Sequence, residues 1–485
     1  MATAFACGLI SVWGMVWSAT WLLLYRPQWE AKRVQRRKGY VTSQIGEKGI
    51  EQVGCPKEWQ KEDGKAPRIH EIEEKHAKGE KFPGEIDQQN ELRRRTLANG
   101  DSKVANGHIE SNGTAEREKI AAADDGYEYY WQSYPDNLSE RIPWVLDLLM
   151  NFRGPGWNWA IPPMPDIPPS VKMKLGESTK KHSSMGLSST GMQHFTTRRE
   201  LFKSLFPKFV IGYFLEDLVK VLMMKDPYYI YGPNTYALPP HLASLSPVQL
   251  AFFRLCLMSV VVVVSLELAF GISPLILGVI IGPKVLGLRG EPWYYPSTWG
   301  SLSNISNKGL NGLWGGWWHQ MFRFIFAGPS NYLINNGYVR VRTTTAKITA
   351  LLFAFGISGF LHYGGSISQL PKTQPWNFPI FFWLQGLGVL IQSSFCDFLH
   401  PQISNLPKVL RQTGNVIFTL TWLYLTAWWL IDDFSRGGMW LYEPIPISPL
   451  RGLGFGVPGD GWWCWEHIGV GWYTGKHWWE SGIAL

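Results

Sequence analysis

Residues 353–362 read Phe353-Ala354-Phe355-Gly356-Ile357-Ser358-Gly359-Phe360-Leu361-His362. They close an uncharged run that begins after Lys347, and such a run predicts a helix inside a membrane. An ionisable ring is costly there unless it has a partner or a task. A neutral imidazole at His362 can take a proton from an alcohol, and general-base help contributes ~10²- to 10⁴-fold in rate. The alternative is a helix-end histidine hydrogen-bonded to a backbone carbonyl.

A second histidine stands in an aromatic segment, residues 313–323, which read Leu313-Trp314-Gly315-Gly316-Trp317-Trp318-His319-Gln320-Met321-Phe322-Arg323. On a helix, His319 and Arg323 are four residues apart and project from the same face. With Gln320 beside them, they predict a polar strip that lines a cavity otherwise closed to water. The alternative is an interfacial aromatic belt that carries an incidental histidine.

Composition places the chain in a membrane. The mean hydropathy of −0.09 averages a polar first third and an apolar remainder, and the 485 residues include 26 Trp, 25 Phe and 19 Tyr. Trp and Tyr favour the boundary between water and lipid. The net charge of +8 comes from a basic stretch after the first apolar run and from short loops, which indicates membrane orientation and no nucleic-acid partner. The five cysteines form no CxxC pair, so neither a metal site nor a disulfide framework is predicted.

The order of polar and apolar stretches predicts five regions. Residues 1–25 are a membrane anchor with its N-terminus outside the cytosol, because the basic cluster follows the apolar run; a buried soluble helix is the alternative. Residues 26–140 form a polar, partly disordered cytosolic region. Residues 141–205 form an interfacial helix and then a Pro-rich and flexible loop. Residues 206–435 are the membrane core, and residues 436–485 are a Trp- and Gly-rich tail.

The fold class predicted for the core is all-α, a polytopic integral membrane bundle with about six to eight membrane helices. The candidate spans are Phe206–Met224, Val248–Phe270, Ala346–Leu361, Phe378–Ser394 and Val416–Ile431. The long run to Gly282 contains Gly271-Ile272-Ser273-Pro274, which predicts a full helix followed by a short re-entrant or interfacial one. Within the first span, Glu216 and Lys220 have the i, i+4 spacing of a structural ion pair that faces the bundle interior.

Three motifs follow one another along the chain: Pro296–Leu302, Trp314–Arg323 and Ser358–His362. Together they resemble the wax synthase-like branch of the membrane-bound O-acyltransferase (MBOAT) superfamily, in the form found in filamentous fungi. The motif region covers residues 285–370, and a weaker resemblance extends upstream to Arg153–Trp159. One departure is Leu313-Trp314-Gly315-Gly316, where relatives often carry Phe-Trp-Gly-Arg.

The resemblance implies a multi-pass enzyme of the endoplasmic reticulum that moves an acyl group from coenzyme A to a hydroxyl. Acyl-CoA is then a co-substrate, and no cofactor is bound. In this interpretation His362 is the general base, and His319 or Gln320 supplies a hydrogen-bond donor to the developing oxyanion. Trp318, Gln320, Arg323 and Trp314 are the predicted substrate- and CoA-binding residues; a lipid head group is an alternative partner for Arg323.

The predicted partners are acyl-CoA, a hydrophobic alcohol and the lipid bilayer. An acetyl group passed to a terpenoid or a polyketide-derived metabolite is the first choice, since fungal relatives often catalyse such transfers. A long-chain alcohol acceptor, giving wax esters, is the runner-up. Two other classes remain open: a transporter in which the histidines form a proton relay, and a catalytically silent membrane scaffold. The transporter predicts inverted repeats, and the sequence has no such symmetry beyond the Gly-Ile-Ser-Pro break.

Overall fold

The structure is a computed structural model that describes residues 2–38, 126–176, 188–370, 372–465 and 471–484. It divides into two units, one of residues 1–37 and 128–485 and one of Lys38–Tyr127. Most of the predicted disordered region, residues 39–125, lies outside the described residues, as does part of the predicted flexible loop, residues 177–187. The helical bundle lies in the first unit.

The described part of the first unit contains ten principal helices and two small pairs of strands. The helices are α1 Ala2–Ala19, α2 Leu138–Met150, α3 Arg198–Met224, α4 Pro247–Ser273, α5 Ser303–Gly312, α6 Arg323–Asn335, α7 Thr344–Ile367, α8 Asn377–Phe398, α9 Lys408–Thr426 and α10 Trp428–Arg436. The strands are β1 Arg33–Lys38, paired with β2 Tyr127–Gln132, and β3 Gly471–Tyr473, paired antiparallel with β4 Gly482–Ala484. Three π-helical turns interrupt the bundle, at Thr20–Leu24, Pro274–Ile281 and Leu313–Trp317.

Single short helical turns join these elements. They lie at Pro27–Glu30, Pro169–Lys174, Pro227–Tyr231, Pro240–Ala243, Pro283–Leu286, Gly287–Gly290, Pro292–Tyr294, His400–Ser404, Met439–Leu441, Pro449–Gly452 and Trp478–Glu480. Most of them begin at proline, whose fixed φ suits the first position of a helix.

Four helices of the described chain are long and apolar enough to cross a membrane: Ala2–Leu24, Pro247–Ile281, α7 and α8. Helices α9 and α10, bent by 42°, form a fifth if they are one span. The protein is thus a helical integral membrane protein, and its described residues contain fewer candidate spans than the six to eight predicted. One reason is α3, which covers the predicted span Phe206–Met224 but starts with Arg198, Arg199 and Glu200 and carries further charges along its length.

The predicted break in the long apolar run of α4 is wrong. The helix continues through Pro274 into the π-helical turn, where the N–H of Gly282 donates to the carbonyl of Leu277 at 2.9 Å. Proline cannot donate the usual helical bond, and the wider i to i+5 turn accommodates its ring without ending the helix. Gly271 serves packing instead, because a Cβ there would lie 2.9 Å from the ring of Phe209 on α3.

The predicted ion pair on α3 is also different. Glu216 and Lys220 are both buried, but Glu216 accepts a hydrogen bond from Ser265 Oγ at 2.5 Å. Lys220 Nζ donates to the carbonyl of Tyr442 at 2.9 Å and lies 3.5 Å from Glu443 Oε1. A buried ammonium needs several oxygen acceptors, which a single carboxylate on the same helix could not provide. The segment after α10 supplies them. Part of the predicted tail is therefore packed into the core.

Helix α7 lies at the centre of the bundle because its small residues allow close neighbours. A Cβ at Gly359 would lie 2.7 Å from the Cα of Pro379 on α8. A Cβ at Gly364 would lie 2.3 Å from Val12 Cγ2 on α1. The N-terminal helix thus packs directly along α7, and both neighbours contribute side chains to the surroundings of His362.

Candidate active site

His362 lies near the end of α7 in an aromatic pocket formed by α1 and α8. Its ring is 5.6 Å from the ring of Phe378, 4.8 Å from that of Phe382 and 6.4 Å from that of Phe5. His362 as a residue is half-buried, so the pocket is not completely closed. An apolar, partly open pocket of this kind can receive a hydrophobic molecule.

One hydrogen bond determines which nitrogen of His362 is free. Nδ1 lies 2.8 Å from the carbonyl oxygen of Ser358, one turn earlier on the same helix. A carbonyl can only accept, so Nδ1 carries the proton and, in the neutral ring, Nε2 carries the lone pair. No described residue makes a hydrogen bond to Nε2. The hydrogen bond to a backbone carbonyl, which the alternative interpretation of His362 predicted, is therefore present. The same hydrogen bond leaves Nε2 able to accept a proton.

The aromatic segment that carries His319 is not a single helix, so the predicted shared face of His319 and Arg323 is wrong. The π-helical turn ends at Trp317, Trp318 is extended with a ψ of 147°, and α6 begins only at Arg323. Gly316 explains the unusual path, because any larger residue at this position would place a Cβ 2.8 Å from Cγ of Asn304. His319 therefore lies in a connection between two helices.

Gln320 and Arg323 hold this connection in place. The buried amide of Gln320 donates to the carbonyls of Trp314 at 3.1 Å and Trp318 at 2.5 Å. Arg323 Nη1 donates to Gln320 Oε1 at 2.7 Å and to the carbonyl of Gly315 at 3.0 Å. Both donors of the Gln320 amide are therefore used within the loop, and contact of either residue with coenzyme A stays a prediction.

Trp314 joins the His319 segment to the His362 helix. Its ring is 6.2 Å from Phe355 of α7 and 6.3 Å from Phe382 of α8, which also touches His362. On its other side it is 5.4 Å from the ring of Trp318. The indole N–H of Trp314 is buried without a partner among the described residues. The predicted site residues are thus connected by a continuous layer of aromatic rings.

The ring of His319 is enclosed by aromatic side chains from three parts of the chain. Its centroid is 5.2 Å from Phe270 of α4, 5.8 Å from Trp299 and 5.8 Å from Phe322. Nδ1 is buried and has no hydrogen-bond partner within the described ranges. Burial, together with the nearby charge of Arg153 and that of His362 when its ring is protonated, lowers the pKa of His319 to about 3. His319 is therefore neutral at physiological pH and lies within electrostatic reach of His362.

An apolar groove runs between α7 and α8 on the side of Phe355. It has a volume of about 200 Å³ and is lined by Ile348, Leu351, Leu352, Phe355, Trp383, Gly386, Leu387 and Leu390. Since Phe355 touches Trp314, the groove ends against the aromatic layer of the site. The sequence-based site did not include these residues, because a run of aliphatic side chains in a span resembles any lipid-facing helix surface.

The family model for membrane bound O-acyl transferases matches residues 295–384, which contain both histidines, Trp314 and the groove residues up to Trp383. This match relates the segment that carries both histidines to the membrane bound O-acyl transferase family. The narrower assignment to the wax synthase-like branch stays a prediction.

Curated fungal proteins resemble this chain over longer stretches. The O-mevalon transferase yanI of Aspergillus niger is 24% identical over 315 residues, and macI of Penicillium terrestre is 22% identical over 300 residues. The acetyltransferase spyB of Aspergillus fumigatus is 32% identical over 108 residues, covering 20% of this chain and 17% of its own length. The matches to yanI and macI cover 59% and 58% of this chain and 60% of each relative. No solved structure matches the chain significantly.

Proposed function

We propose that this protein transfers an acyl group from acyl-CoA to a hydroxyl of a hydrophobic acceptor, with acetyl as the first choice. The observation that carries the proposal is the free Nε2 of His362, oriented by the Ser358 carbonyl inside an apolar pocket. Relatives named as O-mevalon transferases and acetyltransferases support the reaction class. The acceptor in this proposal is a terpenoid or polyketide-derived metabolite, and the enzyme resides in the endoplasmic reticulum.

The reaction follows from the protonation state of His362. Nε2 accepts the hydroxyl proton of the acceptor while the hydroxyl oxygen forms a bond to the carbonyl carbon of the thioester. The carbonyl oxygen becomes an oxyanion, and its collapse breaks the carbon–sulfur bond. The departing thiolate of coenzyme A takes the proton back from His362, so an ester and free coenzyme A are formed and the ring returns to its starting state.

His319 is the proposed donor to the oxyanion. Its ring is neutral, so one of its nitrogens carries a hydrogen, and a donor placed before the reaction stabilises the new charge without reorganisation. Trp318 and Trp314 would pack against the acyl-CoA, while Gln320 and Arg323 hold the loop that presents His319. A contact between Arg323 and a phosphate of coenzyme A would use donors that the loop leaves free.

The groove between α7 and α8 is the proposed route of the acceptor. It lies on membrane-spanning helices and has an apolar lining, so a hydrophobic alcohol could enter from the bilayer without crossing water. Acyl-CoA, whose nucleotide is charged, would enter from the cytosolic side. Separate entries keep the thioester away from bulk water until the acceptor is in place.

The test uses microsomes that carry the protein, labelled acetyl-CoA or palmitoyl-CoA, and a panel of alcohols that includes farnesol and hexadecanol. H362N keeps a side-chain N–H for the Ser358 carbonyl but has no acceptor at the position of Nε2, and H362A removes both. Each should lower transfer by about 10²- to 10⁴-fold, while the control H400A, at an exposed histidine, keeps wild-type transfer.

Each possible result has a defined meaning, provided that membrane insertion of the variants is normal. Retained transfer in H362N and H362A would remove His362 from the mechanism. Transfer of palmitoyl to hexadecanol in preference to acetyl transfer would favour the wax-ester alternative. A wild-type protein that acylates no hydroxyl would count against the enzyme proposal as a whole.

A further inference from the structure

Arg153 is a buried cation that the sequence-based site did not include. It follows α2 and begins the turn Arg153-Gly154-Pro155-Gly156, in which both glycines adopt positive φ, 75° and 73°. A side chain is strained in that backbone region, so the two glycines let the chain reverse sharply after the helix. The turn directs the Arg153 side chain inward, where only 8% of the residue is exposed.

The guanidinium binds the backbone of a motif 144 residues away in the sequence. Nη1 donates to the carbonyl of Ser297 at 2.8 Å, and Nη2 donates to that of Pro296 at 2.9 Å. Nη1 is also 3.6 Å from the sulfur of Met192. The two carbonyls are consecutive, so the planar fork of arginine fits them as it fits a carboxylate.

No carboxylate of the described residues lies within ion-pair distance of Arg153. Burial lowers the pKa of its guanidinium to about 10, with the charge of Glu267 on α4 acting in the opposite direction. Glu267 itself is paired with Lys208 at 2.6 Å. Arg153 is thus still positively charged at neutral pH, and its charge is compensated mainly by carbonyl dipoles. A buried cation held in this way creates a positive potential in its surroundings.

The backbone that Arg153 binds is connected to His319 through Trp299. Ser297 Oγ donates to the carbonyl of Trp299 at 3.0 Å, which fixes the turn between the clamped carbonyls and the indole. The ring of Trp299 stacks on Trp317 at 5.1 Å and lies 5.8 Å from the ring of His319. A shift of the clamped carbonyls would therefore move one wall of the pocket around His319.

We propose that Arg153 is a positioning residue for His319. Its guanidinium clamps the Pro296 and Ser297 carbonyls, and this places Trp299 against the imidazole. The positive charge of Arg153 also keeps the position of the oxyanion electropositive. The proposal rests on the proposed acyl transfer. Arg323 adds a second cation that has no carboxylate partner among the described residues and is bound through Gln320 next to His319. Two guanidiniums near a neutral ring favour the negative oxygen that forms from the thioester carbonyl.

The kinetic test compares Arg153 with Arg141, a matched arginine on the preceding helix α2. Arg141 also donates to two backbone carbonyls, those of Pro135 at 3.0 Å and Asp136 at 2.7 Å, but neither residue belongs to the segment that holds Trp299 against His319. In microsomes with labelled acetyl-CoA and farnesol, R153M should lower kcat about 10²-fold with KM for acetyl-CoA changed less than about threefold. R153K keeps the charge but loses the fork, so its kcat should fall about tenfold. R141M should stay within about twofold of wild type.

Chemical rescue separates positioning from a general loss of structure. Methylguanidinium added to R153A should restore about a tenth or more of the wild-type kcat, because the small cation can occupy the vacated clamp. An R153M kcat within about twofold of wild type, or an equal loss of kcat in R141M, would overturn the proposal.

A measurement that does not depend on acyl transfer distinguishes failure of this proposal from failure of the proposed function. Diethyl pyrocarbonate modifies neutral imidazoles, and peptide mass spectrometry gives the rate at His319. Loosening of Trp299 in R153M should raise that rate about fivefold or more, while R141M leaves it unchanged. An unchanged modification rate in R153M would contradict the positioning role, whether or not the wild-type protein transfers acyl groups. Absence of acyl transfer by the wild-type protein would refute the proposed function separately.

Discussion

The pH-dependence of folding tests the surroundings of His319 through a single substitution, His319→Gln. Burial, with smaller effects from His362 and Arg153, lowers the pKa of this ring from 6.5 to about 3. The unfolded chain therefore binds more protons than the folded protein when the pH lies between these two values. The resulting stabilisation is fully present above the unfolded pKa and is lost as the pH falls towards the folded one.

The magnitude follows from the two pKa values. At pH 5.5 the unfolded imidazole is protonated about ten to one while the folded ring is neutral, so protonation favours the unfolded state by about 1.4 kcal/mol. Between pH 7.5 and 5.5, the free energy of unfolding of the wild type should therefore fall by about this much more than that of H319Q. Denaturant titration of the protein in lipid nanodiscs at both pH values gives the comparison.

Exposed His241 provides the control, because H241Q should show the wild-type change in unfolding free energy. The reasoning would be refuted if H319Q lost as much stability as the wild type between the two pH values. That result would mean that the folded protein accommodates a charged imidazole at residue 319.

Two further predictions concern packing and buried charge in the core. G8L should destabilise the protein by about 1–3 kcal/mol, because a Cβ at Gly8 would lie 2.2 Å from the carbonyl oxygen of Gly364. The control G14L should have little effect, because the space around Gly14 is open. Thermal unfolding in nanodiscs measures the stability of both variants. R254M should lower the free energy of unfolding by about 3–5 kcal/mol, because it removes the hydrogen bonds of 2.7 and 2.8 Å that compensate the buried carboxylate of Asp226. R254K should recover part of this loss. Equal stability of R254M and wild type would contradict the prediction.

The helix that carries His362 was predictable because its evidence is local. An uncharged run ending in a single ionisable ring is visible in ten consecutive residues, and the small residues within it predict close helix packing. The structure has this run as α7, with Gly359 against Pro379. The continuation of α4 through Pro274 was not predictable in the same way, because a π-helical turn and a chain reversal both place glycine and proline in an apolar run.

The site was only partly predictable. Trp314, Trp318, His319, Gln320, Arg323 and His362 were identified by motif, and the structure connects them through aromatic contacts. Their roles stay predictions. The assumed helical face of His319 and Arg323 was wrong, because the glycines of that segment favour a π-helical turn that packs against Asn304. Arg153 was recognised as part of a weak motif, but its partners were not.

The sequence by itself determined that the chain is a helical membrane protein with a histidine in an apolar helix, because hydropathy and charge spacing are properties of neighbouring residues. Only the tertiary structure decided which nitrogen of His362 is free, which oxygens surround Lys220 and which carbonyls Arg153 clamps. A buried polar group takes whichever partner the fold brings within about 3 Å, and that partner is often more than a hundred residues away in the chain.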